Sequence, residues 1–196
     1  MSDGDFGFEL EPFKNQAQEG LSGTVGVYGR VQVFWVKPVR PRQGGEIFRT
    51  EVVSEHLPET HLSGIGMGGQ PYLSKKAVLS VGGLEARLVY NVLGLRRTSR
   101  ALHIGLGDRE YTYTSTGSSA FELRRDNARV VFSQGKWVRA AGGWHRHGAV
   151  QGDVDETDLA IALVFEAVDV SWLSVGGALW SAPFRLLSPQ SDGGGE

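Results

Sequence analysis

Apolar and polar residues alternate along most of the chain, as they do in β-strands that bury one face. An early example spans the turn at 28–30, where apolar residues fall at alternate positions: Val25, Val27, Val31, Val33 and Trp35. Residues in this pattern lie on one face of two paired strands. The segment therefore predicts a β-hairpin.

Short alternating segments return after residue 75, separated by turns that contain Gly, Asp or Asn. They fall at 77–81, 85–92, 101–106, 110–115, 121–125, 129–134 and 137–140. Together with the N-terminal strands they give about ten to twelve short strands with regular turn signals, which is typical of antiparallel β-proteins. The pattern predicts a mainly β fold, either an antiparallel barrel or two packed sheets.

One segment departs from the alternation and predicts a helix at about residues 156–173. An acidic run at 153–158 offers carboxylates that can cap the first turn and favour the positive end of the helix dipole. The body that follows is apolar on nearly every side, which predicts a helix that is buried all round. A curved sheet could enclose such a helix, with further strands at 178–180 and 184–187.

The remaining segments set the expected domain limits. Residues 1–20 mix charges, Gly and Gln, and predict a loosely ordered N-terminal arm. Residues 54–74 show little periodicity and predict a long loop. A single β-rich domain is expected at 21–187, followed by a flexible, Gly-rich tail at 188–196.

Composition narrows the class of protein. The chain has 196 residues, 28 glycines and no cysteine, which excludes thiol catalysis, thiolate metal sites and a disulfide framework. The N-terminus lacks the basic start and long apolar run of a signal peptide, and the longest apolar run, at 159–165, is far shorter than a membrane span. We expect a soluble, cytoplasmic protein that is not an integral membrane protein.

The net charge of −2 hides a strong segregation along the chain. Residues 1–70 carry a net charge of −3, residues 71–147 carry +8, and residues 148–196 carry −7. The middle segment has the charge to attract phosphate groups, but the acidic C-terminal third can also fold against it and neutralise it. Sequence leaves both alternatives open.

Two strands and the helix carry a family resemblance: the strand at 110–113, the strand at 120–125 with its turn at 126–127, and the apolar helix at 158–172. Many short strands followed by one apolar C-terminal helix resemble the tubby C-terminal-like superfamily, which includes LURP-one-related and phospholipid-scramblase-type domains. The resemblance implies a closed barrel of twelve strands around a central hydrophobic helix. In eukaryotic members it implies binding to anionic membrane lipid.

The best candidate anion site is the turn that contains Arg96, Arg97 and Arg100, with Thr98 and Ser99 between them. Guanidinium groups bind phosphate through paired hydrogen bonds, and small hydroxyls can add to such a site. The alternative is that these arginines are solvated residues at the ends of strands. Nucleic acid is disfavoured as a partner, because aromatic residues in strands belong more often to the core than to an exposed stacking surface.

The segment at 142–148 contains the most chemically suggestive pair, His145 and His147, which would lie on one face if the chain is extended. This spacing occurs in some metal sites, but the remaining ligands would have to come from elsewhere in the chain. The candidates are His56, His61, His103, Asp153 and Asp155. We instead expect an exposed, Gly-rich loop at 142–148, with no bound metal or cofactor.

Three hypotheses for function follow. The first is a noncatalytic protein that recognises an anionic lipid or phosphorylated ligand through Arg96, Arg97 and Arg100. The second is a protein-interaction or self-assembling structural subunit, whose segregated charges allow head-to-tail contacts between copies. The third, a metal-dependent enzyme using His145 and His147, is the least favoured, and no catalytic residues are assigned.

Overall fold

The computed structural model describes residues 5–36, 47–67, 70–74, 76–90, 100–170 and Leu173 of the chain. These residues form a mainly β structure with one short α-helix. The strands are β1 (Phe6–Lys14), β2 (Gln18–Thr24), β3 (Arg30–Val36), β4 (Ile47–Ser54), β5 (Thr60–Met67), β6 (Gln70–Pro71), β7 (Val78–Val81), β8 (Leu84–Tyr90), β9 (Leu102–Leu106), β10 (Arg109–Ser115), β11 (Ala120–Arg125), β12 (Ala128–Val138) and β13 (Gly143–Gln151). The helix α1 spans Glu156–Val164, and 3-10 turns occupy Gly26–Tyr28 and Phe165–Ala167.

The strands form a closed antiparallel barrel of twelve strands. Each strand pairs with its neighbours in sequence, apart from the two-residue β6, and β13 closes the ring by pairing with β1. The ring continues from β4 to β5 and from β5 to β7. The predicted antiparallel β fold is therefore confirmed, and of the two predicted architectures it is the barrel.

The helix α1 lies inside the barrel. It packs against β4, β5 and β7 on one wall and against β11 and β12 on the opposite wall. Six consecutive residues, from Leu159 to Val164, have fully buried side chains. This burial explains why the helix is apolar on every side, and it confirms the prediction of a buried hydrophobic helix.

The helix is shorter than predicted. Instead of continuing to residue 173, α1 ends at Val164, and after a 3-10 turn the chain is extended from Val168. The amide of Asp169 donates to the carbonyl of Pro71, and the amide of Leu73 donates to the carbonyl of Asp169. These hydrogen bonds take the place of those that a continuing helix would form within itself. Residues 171–172 lie outside the described residues.

The prediction of a loose N-terminal arm at 1–20 is wrong for the part of the segment that the structure describes. The strand β1 pairs with both β2 and β13, and so lies within the barrel wall. Its alternate residues Phe8 and Leu10 are buried in the core. The exposed acids Glu9 and Glu11 alternate with these buried residues on β1, and Gln16 lies in the turn after the strand. Residues 1–4 are outside the description.

Other segments also differ from prediction. The expected loop at 54–74 contains β5, whose Leu62 is fully buried, and Val27 is exposed because it lies in a 3-10 turn rather than in the hairpin strands. The predicted strands at 129–134 and 137–140 are one strand, β12, with an irregularity between Gln134 and Trp137. The predicted strands at 178–187 and the tail at 188–196 lie outside the described residues.

The two ends of the barrel differ, and the helix defines them. The helix-start end contains the first turn of α1 and the turns near residues 26–28, 55–59, 82–83, 107–108 and 126–127. The opposite end, here called the tryptophan end, contains the turns at 15–17, 116–119 and 139–142. Of the helices that the structure describes, none is long and apolar enough to cross a membrane.

Candidate functional site

A pocket of about 180 Å³ opens at the tryptophan end of the barrel. Its walls come from the ends of β1, β2, β3, β12 and β13, and its lining includes residue Glu166 from the end of the internal helix. The side chains that give this tryptophan pocket its character are aromatic and charged: Phe13, Glu19, Trp35, Trp137, Trp144, Arg146 and Glu166. It combines aromatic surface with a buried acid.

The hairpin of β12 and β13 brings two of these tryptophans together. Trp137 and Trp144 face each other in the register of the two strands, and their rings meet edge to face with centroids 5.1 Å apart. The turn between them includes Gly142, whose φ of 63° favours glycine. Both indoles stay half-exposed, at 50% and 44% of their surface. Trp137 and Trp144 therefore form an aromatic wall at the mouth of the pocket.

Alternation along β13 places Arg146 on the inner face of the barrel, together with Gly148 and Val150. Gly148 is required there, because a Cβ at this position would lie 2.1 Å from the ring of Phe8. Arg146 points its guanidinium to the end of the internal helix, where its Nε lies 2.9 Å from Oε2 of Glu166. A strand that looks polar in sequence thus contributes a charged residue to the interior.

Glu166 is a buried ionisable group at the inner end of the pocket. Its side chain is only 1% exposed, yet neither carboxylate oxygen accepts a hydrogen bond from any described residue. The guanidinium of Arg146 is close enough to form an ion pair with Glu166, but its N–H groups do not point at the carboxylate oxygens. Burial raises the pKa of Glu166 to about 7, and the charge of Arg146 opposes that rise.

Aromatic rings pack beside this acid. Tyr113 of β10 stacks on Phe165, the residue before Glu166, with ring centroids 4.7 Å apart. Its hydroxyl is buried and has no hydrogen-bond partner among the described residues. Burial raises the pKa of Tyr113, and the nearby Glu166 charge adds to that rise. The surroundings of Glu166 are therefore strongly desolvated.

The opposite end of the barrel contains a different ionic cluster, which fixes the start of α1. Asp155 caps the helix by accepting from the amides of Thr157 and Asp158, and Asp158 accepts from the amide of Asp155 in return. Arg125 binds both carboxylate oxygens of Asp158, at 2.8 Å and 2.7 Å. Arg109 contacts Asp155 at 2.6 Å. This cluster joins the helix to the barrel wall and has a structural role.

Ion pairs neutralise much of the basic middle segment. Three of its arginines pair with the acidic C-terminal third, in the contacts Arg109–Asp155, Arg125–Asp158 and Arg146–Glu166. Others pair within the middle segment itself, as Arg129 does with Glu122. The neutralising alternative therefore holds for these residues, and the cations that remain must be sought at the barrel ends.

The charged side chains of the described residues are distributed unequally between the two ends. Exposed acids gather at the helix-start end: Asp5, Glu55, Glu59, Glu85, Asp108, Asp126, Asp153 and Glu156. Cations gather at the tryptophan end, where Glu19 and Asp169 also lie: Lys14, Lys76, Arg100, Lys136 and Arg139. Lys136 and Arg139 are exposed and form no ion pair with the described residues. Among the described residues, exposed acids therefore outnumber exposed cations such as Arg30 at the helix-start end, and cations outnumber acids at the tryptophan end.

The predicted anion site is described only in part. Arg100 is half-buried just before β9, at the tryptophan end, and has an interaction partner. Arg96 and Arg97 lie outside the described residues. The grouping of the three arginines therefore stays a prediction.

The predicted histidine pair lies on a strand and not in a loop, so the expected exposed loop at 142–148 is wrong. Regular pairing of β13 with β1 and β12 extends the chain there despite its glycines. His145 and His147 share the outer face, and Nδ1 of His147 lies 3.2 Å from Oε1 of Glu9. Within the described part of the chain, no three His, Asp or Glu side chains gather as a metal site would require. The other proposed ligands lie on different elements: His56, His61, His103, Asp153 and Asp155.

Sequence reasoning missed the residues of the tryptophan pocket, although weak signals for them exist. Glu166 is the acid that interrupts the apolar run of the helix segment. Arg146 lies between the two candidate histidines. The strand alternation that places both histidines outside places Arg146 inside.

Comparison of the chain with family models, curated proteins and solved structures finds no match. The resemblance to the tubby C-terminal-like superfamily therefore stays a prediction. The function has to be argued from the chemistry of the site itself.

Proposed function

We propose that this protein is a noncatalytic binding protein, and that the tryptophan end of its barrel binds an anionic lipid surface. One observation carries the proposal. The tip of the β12–β13 hairpin exposes Trp137 and Trp144 beside the cations Lys136 and Arg139. This combination suits the boundary between lipid headgroups and acyl chains.

Each part of the hairpin tip has a separate physical role in this proposal. Indole rings favour the interfacial region because one edge is apolar and the N–H remains hydrated. Lysine and arginine near an anionic surface contribute about 1 kcal/mol each, and salt screens this attraction. Half-exposed tryptophans would otherwise leave apolar surface in water. The tip therefore combines an apolar anchor with an electrostatic attraction.

The charge difference between the barrel ends favours one orientation on such a surface. Carboxylates at the helix-start end, such as Glu59 and Asp126, would be repelled by anionic lipid. Lys136 and Arg139 at the other end would be attracted. Both effects therefore favour the orientation in which the tryptophan end faces the lipid surface.

The predicted arginines fit the same proposal. The strand β8 ends at Tyr90 and β9 begins opposite it at Leu102, both at the tryptophan end. We therefore include Arg96, Arg97 and Arg100 as further cations of the docking surface. The resemblance adds support, because a closed barrel around a hydrophobic helix and an anionic lipid partner are what it implies.

A vesicle-binding assay tests the proposal. The wild type should bind vesicles containing anionic lipid and release them as salt is raised, and it should bind neutral vesicles weakly. The double variant Lys136→Glu and Arg139→Glu should lose most of this binding, as should the Arg96, Arg97, Arg100 triple alanine variant. Arg30→Glu, a charge reversal at the helix-start end, is the matched control. Equal binding to neutral and anionic vesicles would contradict the proposal.

A second candidate function is head-to-tail self-association, which the opposite charges of the two ends favour. It predicts that the mass in solution rises with protein concentration at low salt. Lys136→Glu with Arg139→Glu should abolish that rise. A constant monomer mass under those conditions would remove this candidate.

A further inference from the structure

The lining of the tryptophan pocket includes a buried carboxylate that has one charge contact but no hydrogen bond from the described residues. Both oxygens of Glu166 are buried without a hydrogen bond among the described residues, and the residue lines the pocket. Buried polar groups in native proteins almost always have a partner. A buried acid that faces a cavity therefore indicates a ligand that donates hydrogen bonds.

The charges that line the pocket favour a cationic donor. They are the carboxylates of Glu19 and Glu166 and the guanidinium of Arg146. Lys14 contacts Glu19 at 2.8 Å but does not belong to the lining. Arg146 lies close to Glu166 without making a hydrogen bond. Since Glu19 is already paired with Lys14, Glu166 is the acid in the lining whose acceptors are open to a cationic donor among the described residues.

The aromatic walls favour the same chemistry. Trp35, Trp137 and Trp144 surround the pocket, and tryptophan is the side chain whose ring face attracts a cation most strongly. An anion would be repelled by ionised Glu166, and a neutral hydroxyl can donate one hydrogen bond to it but brings no opposite charge. A volume of about 180 Å³ suits a small alkyl group with a charged head.

We propose that the tryptophan pocket binds a primary alkylammonium group, with Glu166 as the counter-ion and hydrogen-bond acceptor and with Trp137 and Trp144 as the aromatic wall. The ammonium supplies the N–H donors that Glu166 lacks, and its positive charge lies against the indole faces. The site shares Trp137 and Trp144 with the docking surface proposed above, but it can be tested separately, because a free amine in solution can occupy it without any membrane.

Titration with n-butylammonium chloride at constant ionic strength tests the proposal, with tryptophan fluorescence and calorimetry as readouts. We expect saturable binding of n-butylammonium, with 1-butanol and butyrate binding at least tenfold more weakly. Glu166→Gln should weaken n-butylammonium binding at least tenfold. Glu9→Gln, which changes an exposed carboxylate on β1 in the same way, should leave it unchanged. Equal binding of 1-butanol and n-butylammonium would overturn the proposal, as would no binding of the amine.

A second variant protects the test against a folding defect. Trp144→Ala removes a half-exposed side chain from the pocket mouth and is expected to fold. It should also weaken n-butylammonium binding several-fold, while thermal unfolding shows that the barrel is intact. Unchanged amine affinity in folded Trp144→Ala and Glu166→Gln proteins would contradict the proposed site.

The ammonium group has two sources, a lipid headgroup or a free amine, and vesicles distinguish them. At a fixed fraction of anionic lipid, ethanolamine headgroups are compared with choline headgroups. If the lipid amine is the ligand, ethanolamine headgroups should strengthen binding and n-butylammonium should compete with them. If a free amine is the ligand, the two vesicle types should bind alike while n-butylammonium still binds in solution. Loss of vesicle binding with retained amine binding would contradict the docking proposal alone.

Discussion

Arg146 of β13 and Glu166 at the end of the internal helix place their Nε and Oε2 atoms 2.9 Å apart, inside one end of the barrel. The contact differs from the one between Arg125 and Asp158 at the other end, where two hydrogen bonds align the groups. One end of the helix is thus held by a satisfied ionic cluster. The other end leaves a carboxylate with unused acceptors beside a pocket, which is unfavourable for stability and suited to binding.

The first prediction concerns the pH dependence of stability. Burial raises the pKa of Glu166 from 4.5 to about 7, so between these values the folded chain retains a proton that the unfolded chain releases. The contribution of Glu166 to the free energy of unfolding is therefore complete below pH 4.5 and is lost as the pH rises toward about 7. The loss is at most about 3 kcal/mol, since one pKa unit corresponds to about 1.4 kcal/mol. Arg146, Tyr113 and Glu19 are the charged or titratable groups around it.

Glu166→Gln tests this prediction, because the amide does not ionise. Urea denaturation at pH 5 and pH 8 should show a smaller decrease in the free energy of unfolding for the variant than for the wild type. Glu9→Gln provides the control at an exposed carboxylate. An identical pH dependence in wild type and Glu166→Gln would show that Glu166 ionises normally in the folded protein.

The second prediction concerns the anchor of the helix start. Arg125→Ala leaves Asp158, whose side chain is 2% exposed, without its bidentate partner. Removing one partner of a buried ion pair costs about 3 kcal/mol or more, whereas an exposed pair contributes less than about 1 kcal/mol. Arg87→Ala is the matched control, because the contact of Arg87 with Glu110 is exposed. Denaturant midpoints should separate the two variants, and equal losses would contradict a structural role for Arg125.

The third prediction concerns close packing between β1 and β13. A Cβ at Gly148 would overlap the ring of Phe8, so Gly148→Ala should cost about 1–3 kcal/mol, as overpacked cores do. Gly7→Ala is a control in the adjacent strand, because its Cβ would have only an ordinary contact of 3.7 Å. Thermal unfolding of both variants checks this. If Gly148→Ala is as stable as Gly7→Ala, Phe8 has room to move.

Several features of the fold were predictable because they depend on local pattern. Alternation at Val31, Val33 and Trp35 identified the hairpin strand, and the acidic run near Asp155 identified the helix start. The helix end was not predictable, since apolar residues continue past Val164. The chain after it instead forms a 3-10 turn and pairs with a distant segment, where Asp169 bonds to Pro71 and Leu73.

The candidate site was harder to predict because it depends on contacts between distant strands. Trp137 and Trp144 meet only in the actual register of β12 and β13, which includes an irregularity after Gln134. Arg146 reaches Glu166 only because the helix lies inside a closed barrel. Neither the closure of the ring nor the direction of the helix can be read from residue spacing.

The final prediction separates the apolar and electrostatic parts of lipid docking. Trp137→Ala removes apolar anchoring, which salt does not screen, so it should weaken vesicle binding by a similar factor at low and high salt. Lys136→Ala with Arg139→Ala removes two cations and should weaken binding by about thirtyfold at low salt, from about 1 kcal/mol per cation. This loss should become small at high salt. A sedimentation assay across a salt series measures both effects. If Trp137→Ala instead changed only the salt dependence, the indole would not insert into the lipid interface.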